Sequence, residues 1–278
     1  MNHDNRHASL TSFLIWTFLL SWGLWAMAIG SGTSISQPGA FFPYVLGGFG
    51  PSAVALLFVL REPELETRRR FQDKLFATRT IRLNGWLFII FLPVLMLAVG
   101  IGWDGLFGGT WPAFDFLEAL RRQPYLWVST LSFNFLLGPV SEELGWRGVA
   151  LPLFEERYGR IRGNLLLAAV SSLWHIPLFY LPGTVQAAWG VNGLHIWLYL
   201  AGFIPTTFLY AWLLHASEGS IFASILFHFS LNIAFSLAGT LSLKAELARV
   251  IFSLVVAALL WMRRRERDEK NLPLEVKT

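Results

Sequence analysis

Long apolar runs, parted by short polar and charged stretches, recur along the whole chain. We read eight of them, at about residues 11–30, 41–60, 83–102, 125–144, 163–181, 194–214, 220–240 and 247–262. A helix needs about 20 mostly apolar residues to cross the hydrocarbon of a bilayer. Backbone polar groups in hydrocarbon must also be satisfied within the segment, which helices achieve. The pattern therefore predicts an all-α, polytopic membrane protein of about eight transmembrane helices. The loops are too short for a second folded unit, so residues 1–278 read as one integral membrane domain.

Composition sharpens this reading. Only 14% of the 278 residues are charged and 54% are hydrophobic, with 24 Phe and 13 Trp. Soluble domains carry about 25% charged residues. The absence of cysteine excludes disulfides, thiolate metal sites and a cysteine nucleophile. The net charge of +4 resembles a nucleic-acid signal until the charges are placed. They fall between the apolar runs, so no nucleic-acid partner is expected. With the N-terminus inside, only Arg121, Arg122, Lys244 and Arg249 of the 22 Lys and Arg fall on the outer side. By the positive-inside rule both termini are cytoplasmic and the host membrane is the plasma (inner) membrane, crossed many times.

Individual stretches add detail. Ala26-Met27-Ala28 resembles a signal-peptidase site, but the single arginine before a long apolar stretch favours a retained helix. In Gly47-Gly48-Phe49-Gly50-Pro51-Ser52-Ala53 the small residues allow close helix approach and Pro51 predicts a kink. Residues 61–82 read either as an amphipathic segment on the inner surface or as a solvated loop that only sets topology, and Trp103, Trp111 and Phe114 suit an interfacial aromatic belt. Residues 263–278 form a charged cytoplasmic tail ending in Lys277-Thr278.

Against this apolar background one polar constellation stands out. The run 125–144 ends in Ser141-Glu142-Glu143-Leu144-Gly145-Trp146-Arg147-Gly148. Carboxylates near hydrocarbon are retained for function, pairing or transport. Glu143 and Arg147 are four apart and can pair on one helix face, while Glu142 points about 100° away. His175 lies in Trp174-His175-Ile176-Pro177, and His228 and Asn232 share a face at i, i+4. Taken singly, each histidine could be hydrogen-bonding glue between helices. Together these groups can converge on one intramembrane polar cavity. His195 and His215 fall near helix ends and His3 and His7 in the N-terminal tail, so these four read as structural or solvated.

The set Glu142-Glu143-x-x-x-Arg147, His175 and His228-x-x-x-Asn232 resembles the motifs of the CAAX prenyl protease and bacteriocin-processing family of intramembrane proteases (CPBP, also called Abi). Gly219-Ser220 before His228 fits the same pattern. The family-like core covers about residues 125–240. In one departure, Ser171 stands where the family usually has Phe, four residues before the histidine.

The resemblance implies an endopeptidase that hydrolyses a peptide bond of a membrane-associated protein or peptide, CAAX-type or bacteriocin-like. Peptide hydrolysis needs an activated water, a stabilised oxyanion and a protonated leaving amine. The implied roles are Glu142 as general base and then acid, His175 as a holder of the water, and His228 and Asn232 as oxyanion donors. Glu143 and Arg147 would position the helix. Glu142, His175 and His228 could instead be three ligands of a zinc ion with a fourth position for water. No His-Glu-x-x-His sequence decides between these, and direct activation of water by glutamate is preferred. Two other classes are open: a non-catalytic immunity or partner protein of the same fold, and a proton-coupled transporter, which would call for inverted repeats not seen here.

Overall fold

The computed structural model describes the backbone of residues 3–107, 111, 114–239 and 241–270, and side chains for these except 3–9, 115, 238 and 264–270. Lys277-Thr278 and the side chains of His3 and His7 lie outside the described residues. Within them the chain is helical throughout, with no strand. The helices are α1 (His3–Gly30), α2 (Pro38–Gly48), α3 (Gly50–Arg61), α4 (Leu65–Leu75), α5 (Leu83–Leu106), α6 (Asp115–Arg122), α7 (Leu126–Phe135), α8 (Ser141–Gly145), α9 (Leu151–Tyr158), α10 (Arg160–Trp174), α11 (Val185–Trp189), α12 (Leu194–Ala216), α13 (Ile221–Ala238) and α14 (Leu243–Lys270). Wide π-helical turns join α7 to α8 (Leu136–Val140) and α8 to α9 (Trp146–Ala150).

Five helical segments among the described residues are long and apolar enough to cross a bilayer, and a sixth is the pair α2 and α3, bent by 47°. The protein is thus a multi-pass membrane protein. All eight apolar runs are helical, but length and apolarity qualify five or six as spans rather than eight. The two that fall short, around 125–144 and 220–240, hold Glu142, Glu143, His228 and Asn232. One is broken, and the other is the shorter apolar helix Ile221–Leu237.

The break in the fourth run has a local cause. Leu137 is extended (φ −90°, ψ 120°) and Gly138 has φ 93° and ψ −81°. That conformation is rare for side chains with a Cβ, and Pro139 disfavours a helical residue before it. The Ser141 hydroxyl accepts the Gly138 N–H at 2.9 Å, replacing a lost helical partner. Beyond the break the helical path continues to Tyr158. Glu142 therefore lies inside the fold, where the sequence pattern had put it at a helix end. Arg147, counted above among the cytoplasmic charges, is also buried, at 7% exposed.

Two contacts fix this segment against its neighbours. A Cβ on Gly145 would lie 2.5 Å from the Pro51 carbonyl oxygen, so α8 and α3 touch backbone to backbone. The buried indoles of Trp25, Trp146 and Trp174 form a cluster, with Trp174 4.6 Å from Trp25 and 5.7 Å from Trp146 between ring centroids. It ties α1 and the turn after α8 to the end of α10, immediately before His175. Helix α1 is thus built into the fold through Trp25 and the equally buried Phe13.

Candidate active site

The two adjacent glutamates divide as their angular separation on a helix requires. Glu143 faces inward and is fully buried. Its Oε1 accepts from Arg147 Nη1 at 3.1 Å and from His228 Nδ1 at 2.7 Å. The Arg147 guanidinium also lies over the Tyr210 ring, 3.7 Å from its centroid. Glu142 instead faces a hollow, and its Oε1 is 3.9 Å from His175 Nε2.

His175 follows α10 at the point where Pro177 sits in a 3₁₀ turn, Ile176–Tyr180. Its Nδ1 lies 2.7 Å from the Ser171 carbonyl. A carbonyl can only accept, so this nitrogen carries the proton and Nε2 presents a lone pair to Glu142 in the neutral ring. The departure at Ser171 finds a structural counterpart here. Ser171 is buried and its backbone oxygen orients the imidazole, while Phe203 and Tyr199 from α12 wall the ring at centroid distances of 4.7 and 5.8 Å.

His228 and Asn232 come from one face of α13. Because a carboxylate only accepts, His228 donates Nδ1–H to Glu143, leaving Nε2 beside Gly138. A Cβ on Gly138 would stand 2.9 Å from both His228 Nε2 and Asn232 Nδ2. The absent side chain is what opens these two groups to the hollow. Asn232 Nδ2 also lies 3.4 Å from the carbonyls of Asn134 and Leu137, which the break in the helix turns towards it.

Two cavities, of about 630 and 210 Å³, meet at Glu142, His175, His228 and Asn232. The structure thus brings together all four residues expected at the centre. Glu143 and Arg147 line the smaller cavity behind them. The donor set does not fit a metal as it stands. Among the described residues, no three His, Asp or Glu side chains are gathered closely enough to hold an ion. The ligand set Glu142, His175 and His228 named above is therefore not assembled.

Comparison with known proteins bears on the same stretch. The model of the Rce1-like family, type II CAAX prenyl endopeptidases, matches residues 124–234. The chain is also 26% identical over 225 residues to CAAX prenyl protease 2 of Methanococcus maripaludis, covering 80% of this chain and 82% of that protein. Residues 124–234 are thus similar to the Rce1-like CAAX proteases. Every residue of the constellation, from Glu142 to Asn232, falls inside the matched stretch. Both matches name the CAAX protease side of the resemblance, and neither names bacteriocin processing.

Sequence reasoning missed several contributors to the site. Gly138 was one, although a Gly-Pro pair inside an apolar run is a signal for a break. Asn134 was another, visible as a lone amide in the same run. It accepts from Ser236 at 3.3 Å and lends its carbonyl to Asn232. Tyr199, Phe203 and Tyr210 carry no polar signature in a helix rich in aromatics, and only the fold assigns them to the site.

Proposed function

We propose that this protein is an intramembrane endopeptidase that cleaves near the C-terminus of a membrane-associated protein or peptide of the CAAX type. The observation that carries the reading is the Glu142–His175 pair, 3.9 Å apart on a hollow shared with His228 and Asn232. That gap is too long for a direct hydrogen bond and suits one bridging water. The water donates one O–H to Glu142 and the other to the His175 Nε2 lone pair. Its oxygen lone pairs are then directed at an incoming carbonyl.

Glu142 takes a proton from this water as the oxygen bonds to the carbonyl carbon, and the C=O electrons move onto oxygen. Asn232 Nδ2 donates to that oxyanion. His228 Nε2 joins it when the ring carries both protons. Collapse of the intermediate breaks the C–N bond, and Glu142 returns its proton to the departing amine. Glu143 and Arg147 position α8 and the His228 ring. No step passes through a metal. In the orientation given by the charge distribution, the termini are cytoplasmic, the membrane is the plasma (inner) membrane and the substrate approaches from the cytoplasmic side.

The test is hydrolysis of a panel of membrane-tethered peptides, prenylated CAAX-type sequences included, by protein reconstituted in liposomes. Wild type is expected to release a C-terminal fragment. Glu142→Gln is expected to lose about 10²–10⁴ in rate, the usual contribution of a positioned acid–base group, with an unchanged melting profile. Intact cleavage by folded Glu142→Gln overturns the reading, and proton flux without cleavage replaces it with a transporter.

A further inference from the structure

Outside the matched stretch, α14 brings two more charged side chains to the hollow. Glu246 lines the larger cavity and Arg249 the smaller one, together with Glu142, His175 and His228. Both side chains are only 16% exposed. Arg249 donates Nε–H and an Nη2–H to Glu246 Oε2 at 2.9 and 2.5 Å, and its Cζ lies 4.7 Å from the centroid of Phe235. Of the five N–H donors of a guanidinium, the fork formed by Nη1 and the second Nη2–H is left for another acceptor. The other cation lining the smaller cavity, Arg147, is more deeply buried, donating Nη1–H to Glu143 and lying over the Tyr210 ring, with its Nε enclosed and without a hydrogen-bond partner. Arg249, the more exposed of the two, keeps its outer fork for a further anion.

The reading above supplies such an anion. A C-a-a-X box ends the polypeptide, so cleavage near it leaves only a short segment between the scissile carbonyl and a free α-carboxylate. Within a membrane cavity that carboxylate needs a cationic, hydrogen-bonding partner. The planar fork of an arginine supplies one with fixed geometry. Depth agrees as well. Arg249 is about 9 Å along α14 from Leu243, at 1.5 Å per residue, and this is the outer end of the helix in the proposed orientation. A substrate entering from the cytoplasm leads with its C-terminus towards that end. Glu246 holds the guanidinium in place before the substrate arrives.

We propose that Arg249, oriented by Glu246, binds the free C-terminal carboxylate of the substrate and so selects peptides cut close to their ends. The proposal rests on the protease reading, and its test separates the two. Wild-type protein in liposomes is given matched membrane-tethered CAAX-type peptides, one with a free C-terminal carboxylate and one with a C-terminal amide. Wild type is expected to favour the free acid at least tenfold in kcat/KM, through KM. Arg249→Gln brings the ratio to about one, and Arg249→Lys, a point charge without the fork, falls between. Equal cleavage of both peptides by wild type, or a ratio unchanged in Arg249→Gln, overturns the carboxylate subsite while leaving the protease reading standing. Where Arg249→Gln does not fold, the wild-type ratio and that of Arg249→Lys decide, and a lysine variant with the full wild-type preference overturns the role of the fork. Cleavage of neither peptide overturns the protease reading and this subsite with it.

Discussion

The His228 ring donates Nδ1–H to Glu143 Oε1 at 2.7 Å, on the same oxygen that receives Arg147. The second glutamate of the motif is therefore the hub that links a buried cation to a ring on the reacting surface. It fixes which His228 nitrogen faces the hollow. The first glutamate is left facing that hollow beside His175.

This arrangement predicts unequal costs within the buried pair. Arg147→Met strands a buried carboxylate and is expected to destabilise the protein by about 3–5 kcal/mol, the usual result of removing one member of a buried pair. The double variant Glu143→Gln/Arg147→Met removes both charges and is expected to be more stable than Arg147→Met alone. Thermal or denaturant unfolding in detergent checks the order of the two. The reverse order would show that the pair is not a closed unit.

Gly138→Ala should separate activity from stability. The conformation at φ 93° costs a side chain about 1–3 kcal/mol, and the new methyl group presses on His228 Nε2 and Asn232 Nδ2. Loss of oxyanion donors typically lowers kcat by about 10²–10³ for each donor removed. We expect a decline of that order in turnover by protein that is still folded, with turnover measured per folded molecule. A normal rate in folded Gly138→Ala would mean that these two atoms do not meet the substrate.

Gly145→Val should act in the opposite sense, on the fold. Its Cβ would meet the Pro51 carbonyl at 2.5 Å, and backbone cannot turn aside as a flexible side chain can. Overpacking of this kind costs about 1–3 kcal/mol. A lowered melting temperature is the expected outcome. An unchanged one would show that α8 and α3 can separate freely.

Since no three donors are gathered in the hollow, a strong chelator is expected to leave cleavage unchanged, with substoichiometric metal measured on the same sample. Activity lost to the chelator and restored by zinc would instead make Glu142, His175 and His228 a ligand set that assembles on binding.

Much of this architecture was legible in the chain. The apolar runs predicted helices because a bilayer permits little else, and the i, i+4 spacing of His228 and Asn232 placed them on one face. The split between Glu142 and Glu143 followed from 3.6 residues per turn. What the sequence hid was tertiary. The pairing of Arg147 with Glu143 was legible from their spacing, but its burial was not, because a hydropathy pattern cannot distinguish a cation in water from one buried against a carboxylate and a tyrosine ring. The helix continuing to Tyr158 was masked for the same reason, since its polar residues read as the end of a span. The contributions of Phe203 and Tyr199 depend on the packing of α12 against α10, which no local pattern encodes.

The bond between Glu143 and His228 spans 85 positions of the chain. A ribosome finishes the segment bearing two carboxylates and an arginine well before it makes the ring that completes their partnership. The Glu143–Arg147 pair can form within its own segment, but the ring that joins it arrives only with α13, so the hollow is complete only once α13 has been made.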